Sequence, residues 1–198
     1  MIRIILTALL LAGPAFAQDY PALHSVTGVA SDDRLNIRAA PDASSDILDS
    51  LSPYAISVEV LRTTSDGRWG QVLTGEGNGW VSMRYMARTD EDPWAEPVPL
   101  ICHGTEPFWR LGLYPKGSEY DSPDTGRRDL SLTSHRKARN GWKLEFQEGP
   151  TLTRTLIVQR FPCSDGMSDA MFGYRATLFN DSPDGAAIQS GCCTRDNR

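Results

Sequence analysis

Apolar side chains in this sequence recur at every second position. Leu35 and Ile37 alternate with Asn36 and Arg38, and Ile56, Val58 and Val60 alternate with Ser57, Glu59 and Leu61. Trp69, Gln71 and Leu73 share one face of their segment, with Gly70 and Val72 on the other. Trp142, Leu144 and Phe146 alternate with Lys143, Glu145 and Gln147, and Tyr174, Ala176 and Leu178 with Arg175, Thr177 and Phe179. A strand points successive side chains to opposite faces, so this period defines half-buried strands. Residues 110–114, 152–160 and 186–192 read the same way, and Leu130 and Leu132 mark a weaker strand. Turn residues separate the runs: Ser31-Asp32-Asp33, Asp66-Gly67, and a glycine-rich stretch at 75–79 expected to need positive φ. At 165–171, Asp165 or Ser168 is placed to cap one helical turn. No internal repeat, heptad pattern or long helical period occurs, so the expected fold is all-β.

The chain divides into a leader, two domains and a connector. Residues 1–17 have the three parts of a secretory signal peptide: Arg3, the apolar run from Ile4 to Ala12, and Ala15-Phe16-Ala17 as a cleavage site. The apolar run is shorter than the roughly 20 residues a membrane span needs. The expected product is therefore periplasmic or secreted, with no membrane span after cleavage. Residues 18–23 read as a polar leader or an edge segment, because Pro21 discourages a helix. The first domain is expected over 24–88, with Ile47, Leu48 and Leu51 returning to its core. Residues 89–99 carry three prolines and four acids, which favours an extended, semi-rigid linker. Trp94 within it is expected to pack on one domain as a latch, the alternative being contact with a partner. The second domain is expected over 100–195.

All four cysteines fall in that second domain: Cys102, Cys163, Cys192 and Cys193. An even number in an exported chain implies disulfides. A bond between the neighbours Cys192 and Cys193 would close a strained ring. Cys163–Cys192 with Cys102–Cys193 is favoured, and the crossed pairing is the alternative. Closing those loops should contribute about 3.6 and about 4.6 kcal/mol in the chain-entropy model. A domain's net stability is about 5–15 kcal/mol, so reduction should unfold the second domain more readily than the first. No histidine stands near the Cys192-Cys193 pair, and 165–169 lacks the ligand count of an EF-hand. No metal and no cofactor is expected.

The formal charge is −5, and loss of Arg3 with the leader makes it −6. A dedicated nucleic-acid binder needs a basic face to release counterions from phosphate, so no nucleic-acid partner is expected.

The stretch Leu35-Asn36-Ile37-Arg38…Pro41, with Trp69 in the middle hairpin and Gly79-Trp80-Val81…Tyr85 at its end, resembles the bacterial SH3-type domain. The resemblance covers 26–87. It implies a small SH3-like barrel with a binding role, the ligand being a cell-wall peptide or glycan or an envelope protein. Asn36, Arg38, Trp69, Trp80 and Tyr85 are the candidate ligand residues. Asn36 and Arg38 are the better surface candidates, whereas Trp80 is expected to favour the core. The second domain resembles an uncharacterised family of bacterial envelope proteins. The shared marks are Gly104 to Trp109, Cys163 to Asp169, and Gly191-Cys192. The resemblance implies a second, disulfide-bonded, antiparallel β-barrel-like domain without an established activity. Its candidate residues are Glu106, Trp109, Asp165, Met167 and Asp169.

Catalytic signals are weak. None of His24, His103 and His135 sits in a nucleophile motif. His135 falls in a basic segment, 134–139, that reads as a solvated turn. His103 follows Cys102, but neighbours on a strand face opposite ways. Glu106, Asp165 and Asp169 would be the carboxylates of a wall hydrolase, yet they suit tight turns that accept backbone N–H groups. The reading is an exported binding protein, not an enzyme, recognising peptidoglycan or a wall peptide. The alternative is a protein-binding inhibitor of the lysozyme-inhibitor kind, or an envelope assembly factor.

Overall fold

The computed structural model describes residues 20–89 and 97–196. The leader at 1–17 and most of the linker, Trp94 included, lie outside the described residues. Among the described residues no helix is long and apolar enough to cross a membrane.

The alternating runs become two antiparallel β systems. The first is a sheet of seven strands: β1 (Ala22–Val26), β2 (Leu35–Arg38), β3 (Ile47–Leu51), β4 (Val58–Thr63), β5 (Trp69–Leu73), β6 (Asn78–Ser82) and β7 (Met86–Arg88). Their order is β3-β2-β6-β5-β4-β1-β7, an SH3-like arrangement. A single 3-10 turn, Met83–Tyr85, joins β6 to β7. Ile37, Val58, Val60, Val72 and Val81 are fully buried and form the centre of its core.

Several expectations for this sheet are corrected. Ile47, Leu48 and Ile56 are exposed, and of the returning loop only Leu51 reaches the core. Among the described residues β3 is an edge strand, with β2 as its only neighbour. The alternation fails at Ile56 because Ser57 takes φ 55°, which turns the chain before β4 begins at Val58. Pro21 is buried, and β1, with Leu23 and His24 buried, pairs with both β4 and β7 instead of trailing as a leader. None of Gly75, Gly77 and Gly79 has positive φ. Gly79 is needed for a different reason: a Cβ there would lie 2.4 Å from the Ile37 side chain.

The second system is a closed barrel of eight strands: β8 (Leu100–Thr105), β9 (Phe108–Tyr114), β10 (Gly117–Asp121), β11 (Arg128–Ala138), β12 (Gly141–Glu148), β13 (Leu152–Ser164), β14 (Met171–Ser182) and β15 (Gly185–Thr194). Each pairs with its chain neighbour, and β15 pairs with β8 to close the ring. Trp142, Tyr174, Phe146, Leu111, Leu144, Leu156 and Leu178 fill the interior, so the barrel holds a packed core. Arg154 also faces inward. Its charge is met by Glu148 and Asn180, and it lies 3.6 Å from the centre of the Tyr120 ring. The basic segment is no turn, because β11 carries His135, Arg136 and Lys137 into the ladder with β12. No helical turn forms at 165–171.

Cys102 bonds Cys193, its direct cross-strand partner, and Cys163 bonds Cys192 across β14. The β13 register shifts between Arg160 and Cys163, and the second bond lies beyond this shift.

The two domains are docked. The sequence period places Glu59 on the polar face of β4, yet Glu59 is fully buried because the barrel covers that face. One carboxylate oxygen accepts from the Thr194 hydroxyl at 2.6 Å and from the Arg195 backbone N–H. The other has no hydrogen-bond partner and sits against Gly173. Burial raises the Glu59 pKa to about 7, with the Thr194 and Arg195 hydrogen bonds pulling the other way. At a second contact the Asn78 amide bonds the Met171 backbone twice, at 3.1 and 2.6 Å.

Candidate functional site

Strand alternation decides which side chains of the first sheet can meet a ligand. In β2, Leu35 and Ile37 face the core, which leaves Asn36 and Arg38 outside. In β5, Gly70 and Val72 face inward and Trp69 outward. Asn36, Arg38, Trp69 and Tyr85 line one groove of about 590 Å³, with Arg34 and Arg84 beside them. The groove is partly organised before any ligand arrives. Arg38 donates to the Ser45 carbonyl at 2.7 Å, Arg34 to the Ser50 hydroxyl at 2.6 Å, and Arg84 lies over the Tyr85 ring. Asp33 is the acid in this lining, so cationic side chains dominate it.

Trp80 departs from expectation. Gly79 and Val81 take the inward positions of β6, so Trp80 is half-buried on the outer face. It does not line the groove; its ring lies under Arg62, which in turn donates to Gln71. Reasoning from the sequence missed Arg34 and Arg84. Each is the charged neighbour of a motif residue, Leu35 and Tyr85, and that adjacency was the available signal.

A second site forms on the barrel, where the three marked stretches of that domain converge. Cys163 is bonded to Cys192, and the Thr105 hydroxyl donates to the Asp165 carbonyl at 3.1 Å. The Trp109 indole N–H donates to the Ser190 carbonyl at 3.3 Å. Trp109 is clamped between two glycines. A Cβ on Gly104 would meet its Nε1 at 2.1 Å, and one on Gly191 would meet its ring at 2.7 Å. Beside this knot opens a cleft of about 590 Å³. Phe108, Trp109, Pro123 and Met167 give it apolar walls, with His103 and Asp165 among its polar groups. Phe108 and Met167 are exposed at 53% and 68%, unusual for such large apolar groups.

Asp165 takes its place through an Asx-type turn. Its Oδ1 accepts from the N–H groups of Met167 and Ser168 at 3.0 and 2.9 Å. Burial acts to raise this carboxyl, but the Ser168 and Met167 N–H groups, the Ser168 hydroxyl and His103 outweigh it and hold the pKa below the usual range. The His103 Nε2 lies 3.5 Å from Asp165 Oδ2, and its ring meets Phe172 edge-on at 4.7 Å. His103 is on the outside because Cys102, its neighbour, faces the core. Among the described residues no hydroxyl or thiol hydrogen-bonds the His103 ring, so the pair presents polar groups without an adjacent nucleophile. Glu106 and Asp169 do not join the cleft. Glu106 is exposed in the β8–β9 turn, and Asp169 is exposed beside Gly77 of the first domain.

An SH3-like sheet with arginines and aromatic rings along one groove defines a binding module. Residues 33–87 match the family model of the bacterial SH3 domain. This part of the chain is therefore a bacterial SH3 domain, a module with a general protein- or cell-wall-binding role. The match ends before the barrel begins. No curated protein and no solved structure matches the chain.

Proposed function

We propose that the protein is exported to the envelope and binds a carboxylate-bearing cell-wall peptide in the groove of its SH3 domain. One observation carries this reading: Arg34, Arg38 and Arg84 surround Trp69 and Tyr85 in a protein of net charge −5. Arginine forks pair well with carboxylates, and the rings supply an apolar floor for side chains. Elsewhere the acidic surface keeps anionic polymers at a distance, so attraction to a peptide carboxylate is local to the groove.

Retention on purified wall sacculi at low salt tests this. The intact protein should sediment with the sacculi, and Arg38→Ala or Trp69→Ala should reduce the bound fraction at least several-fold. Failure of the intact protein to sediment would overturn the reading.

A further inference from the structure

The barrel cleft has the composition of a site, and the SH3 reading does not use it. We propose that the cleft beside Trp109 binds a pyranose ring of a neutral glycan, one ring face lying on Phe108 and Met167 and the hydroxyls reaching Asp121 and His103. This inference rests on the wall-polymer reading for the polymer's identity, but it concerns a different domain and different residues.

Three observations lead to that ligand class. The first is size: a cleft of about 590 Å³ falls in the range of small-ligand sites. The second is rigidity. Asp165 is fixed by two backbone N–H groups, Thr105 holds its carbonyl, and the Cys163–Cys192 bond lies next to it. A ligand meets these groups already oriented, so little ordering entropy is lost on binding. The third is the mixture of surfaces. Exposed apolar side chains at Phe108 and Met167 line the same space as the exposed Asp121. Among the described residues no group hydrogen-bonds or ion-pairs with the Asp121 side chain, so its oxygens are available.

Other ligand classes fit less well. A purely apolar side chain would cover the Asp121 carboxylate without satisfying it. A phosphate or other anion would face two acids. An ammonium ion would meet one open carboxylate, Asp121, because Asp165 already accepts from the Met167 and Ser168 N–H groups and the Ser168 hydroxyl. A sugar ring has C–H groups on its faces and hydroxyl donors around its edge, so it satisfies both kinds of wall.

The test uses the full oxidised chain and titration calorimetry with chitotetraose, the β-1,4-linked N-acetylglucosamine tetramer. Saturable one-to-one binding is expected, weakened at least tenfold by Phe108→Ala and several-fold by Asp121→Asn. Both side chains are exposed, so neither change should disturb folding, and thermal melts of the variants check this. No heat up to about 10 mM sugar, corresponding to binding weaker than about 3 kcal/mol, would overturn the proposal. Binding that Phe108→Ala leaves intact would overturn it too, because the sugar would then sit elsewhere. Butylammonium, run in parallel, overturns it if it binds where chitotetraose does not. Sacculus retention separates the two readings. Retention lost in Trp69→Ala, with chitotetraose inert, leaves the peptide groove standing and removes the glycan cleft.

Discussion

The two domains handle the same problem, the exposed margin of a β-sheet, in opposite ways. The barrel closes on itself, fills its interior with rings such as Trp142 and Tyr174, and adds two disulfides. The SH3 domain has no disulfide and keeps β3 as a free edge, with Ile47 and Leu48 exposed on it. It is also incomplete on one side, because the β4 face carrying Glu59 is covered by the barrel. The difference teaches where each domain can bind. The open sheet uses its outer face, whereas the packed barrel offers only its rim and surface.

The largest test of that contrast is reduction. Replacing Cys102 and Cys193 with alanine should cost the barrel about 2–5 kcal/mol. The SH3 core should be affected only through the docked face. Urea unfolding followed by near-ultraviolet circular dichroism would show the barrel transition moving to lower denaturant. Equal movement of both transitions would break the comparison and make the molecule one cooperative unit.

The second test is the buried carboxylate. Its pKa of about 7 in the docked molecule exceeds the ordinary 4.5. The docked state therefore holds the proton more tightly than the open state. The stability linked to this group is present below about pH 4.5 and is lost as the pH rises through about 7. Its full size is on the order of 3 kcal/mol. Arg195, Asp196 and Tyr174 are the charged and titratable neighbours that modulate it. Glu59→Gln keeps an acceptor for Thr194 and Arg195 without the charge. At pH 8 the variant should be more stable than the parent, and at pH 4 the two should converge, as read from urea midpoints. A constant difference across that range would count against a titrating interface.

A smaller effect is expected at the other contact. Asn78→Ala removes both amide bonds to the Met171 backbone, at a cost of about 1–2 kcal/mol. Limited proteolysis of the 165–171 segment would report it as faster cleavage. The smallest effect is expected at Trp80. Trp80→Ala should change sacculus retention far less than Trp69→Ala, because Trp80 lies under Arg62 and outside the groove. Equal losses would extend the groove across the whole outer face.

Much of this architecture is legible in the sequence, because a period of two is a local signal. Leu35, Ile37, Val58, Val60, Leu144 and Phe146 go where alternation sends them. The all-β class, the SH3-like opening and the involvement of the cysteines in disulfides follow from short stretches. What escaped depends on partners distant in the chain. Nothing local says that Glu59 is covered by Thr194 and Arg195, 135 and 136 residues away. Nothing local separates an edge strand from a central one, so Ile47 and Leu48 read as core. In β6, two apolar faces compete, and the size of Trp80 favours an inward place although Gly79 permits the close approach to Ile37. At the candidate sites, Asn36, Arg38, Trp69 and Tyr85 were readable from the SH3 pattern. The pairing of His103 with Asp165 was not, because barrel closure and the Cys163–Cys192 bond bring those strands together.

The adjacency of Cys192 and Cys193 has a mechanical consequence. Two consecutive residues tie the last strand to β8 and to β13, and the next two, Thr194 and Arg195, hold the SH3 domain through Glu59. A pull on the chain beyond this point loads covalent sulfur bonds before it can unzip the β14–β15 ladder. If the envelope tugs on the protein through its SH3 groove, the hydrogen bonds at Thr194 and Arg195 part before the sulfur bonds behind them do.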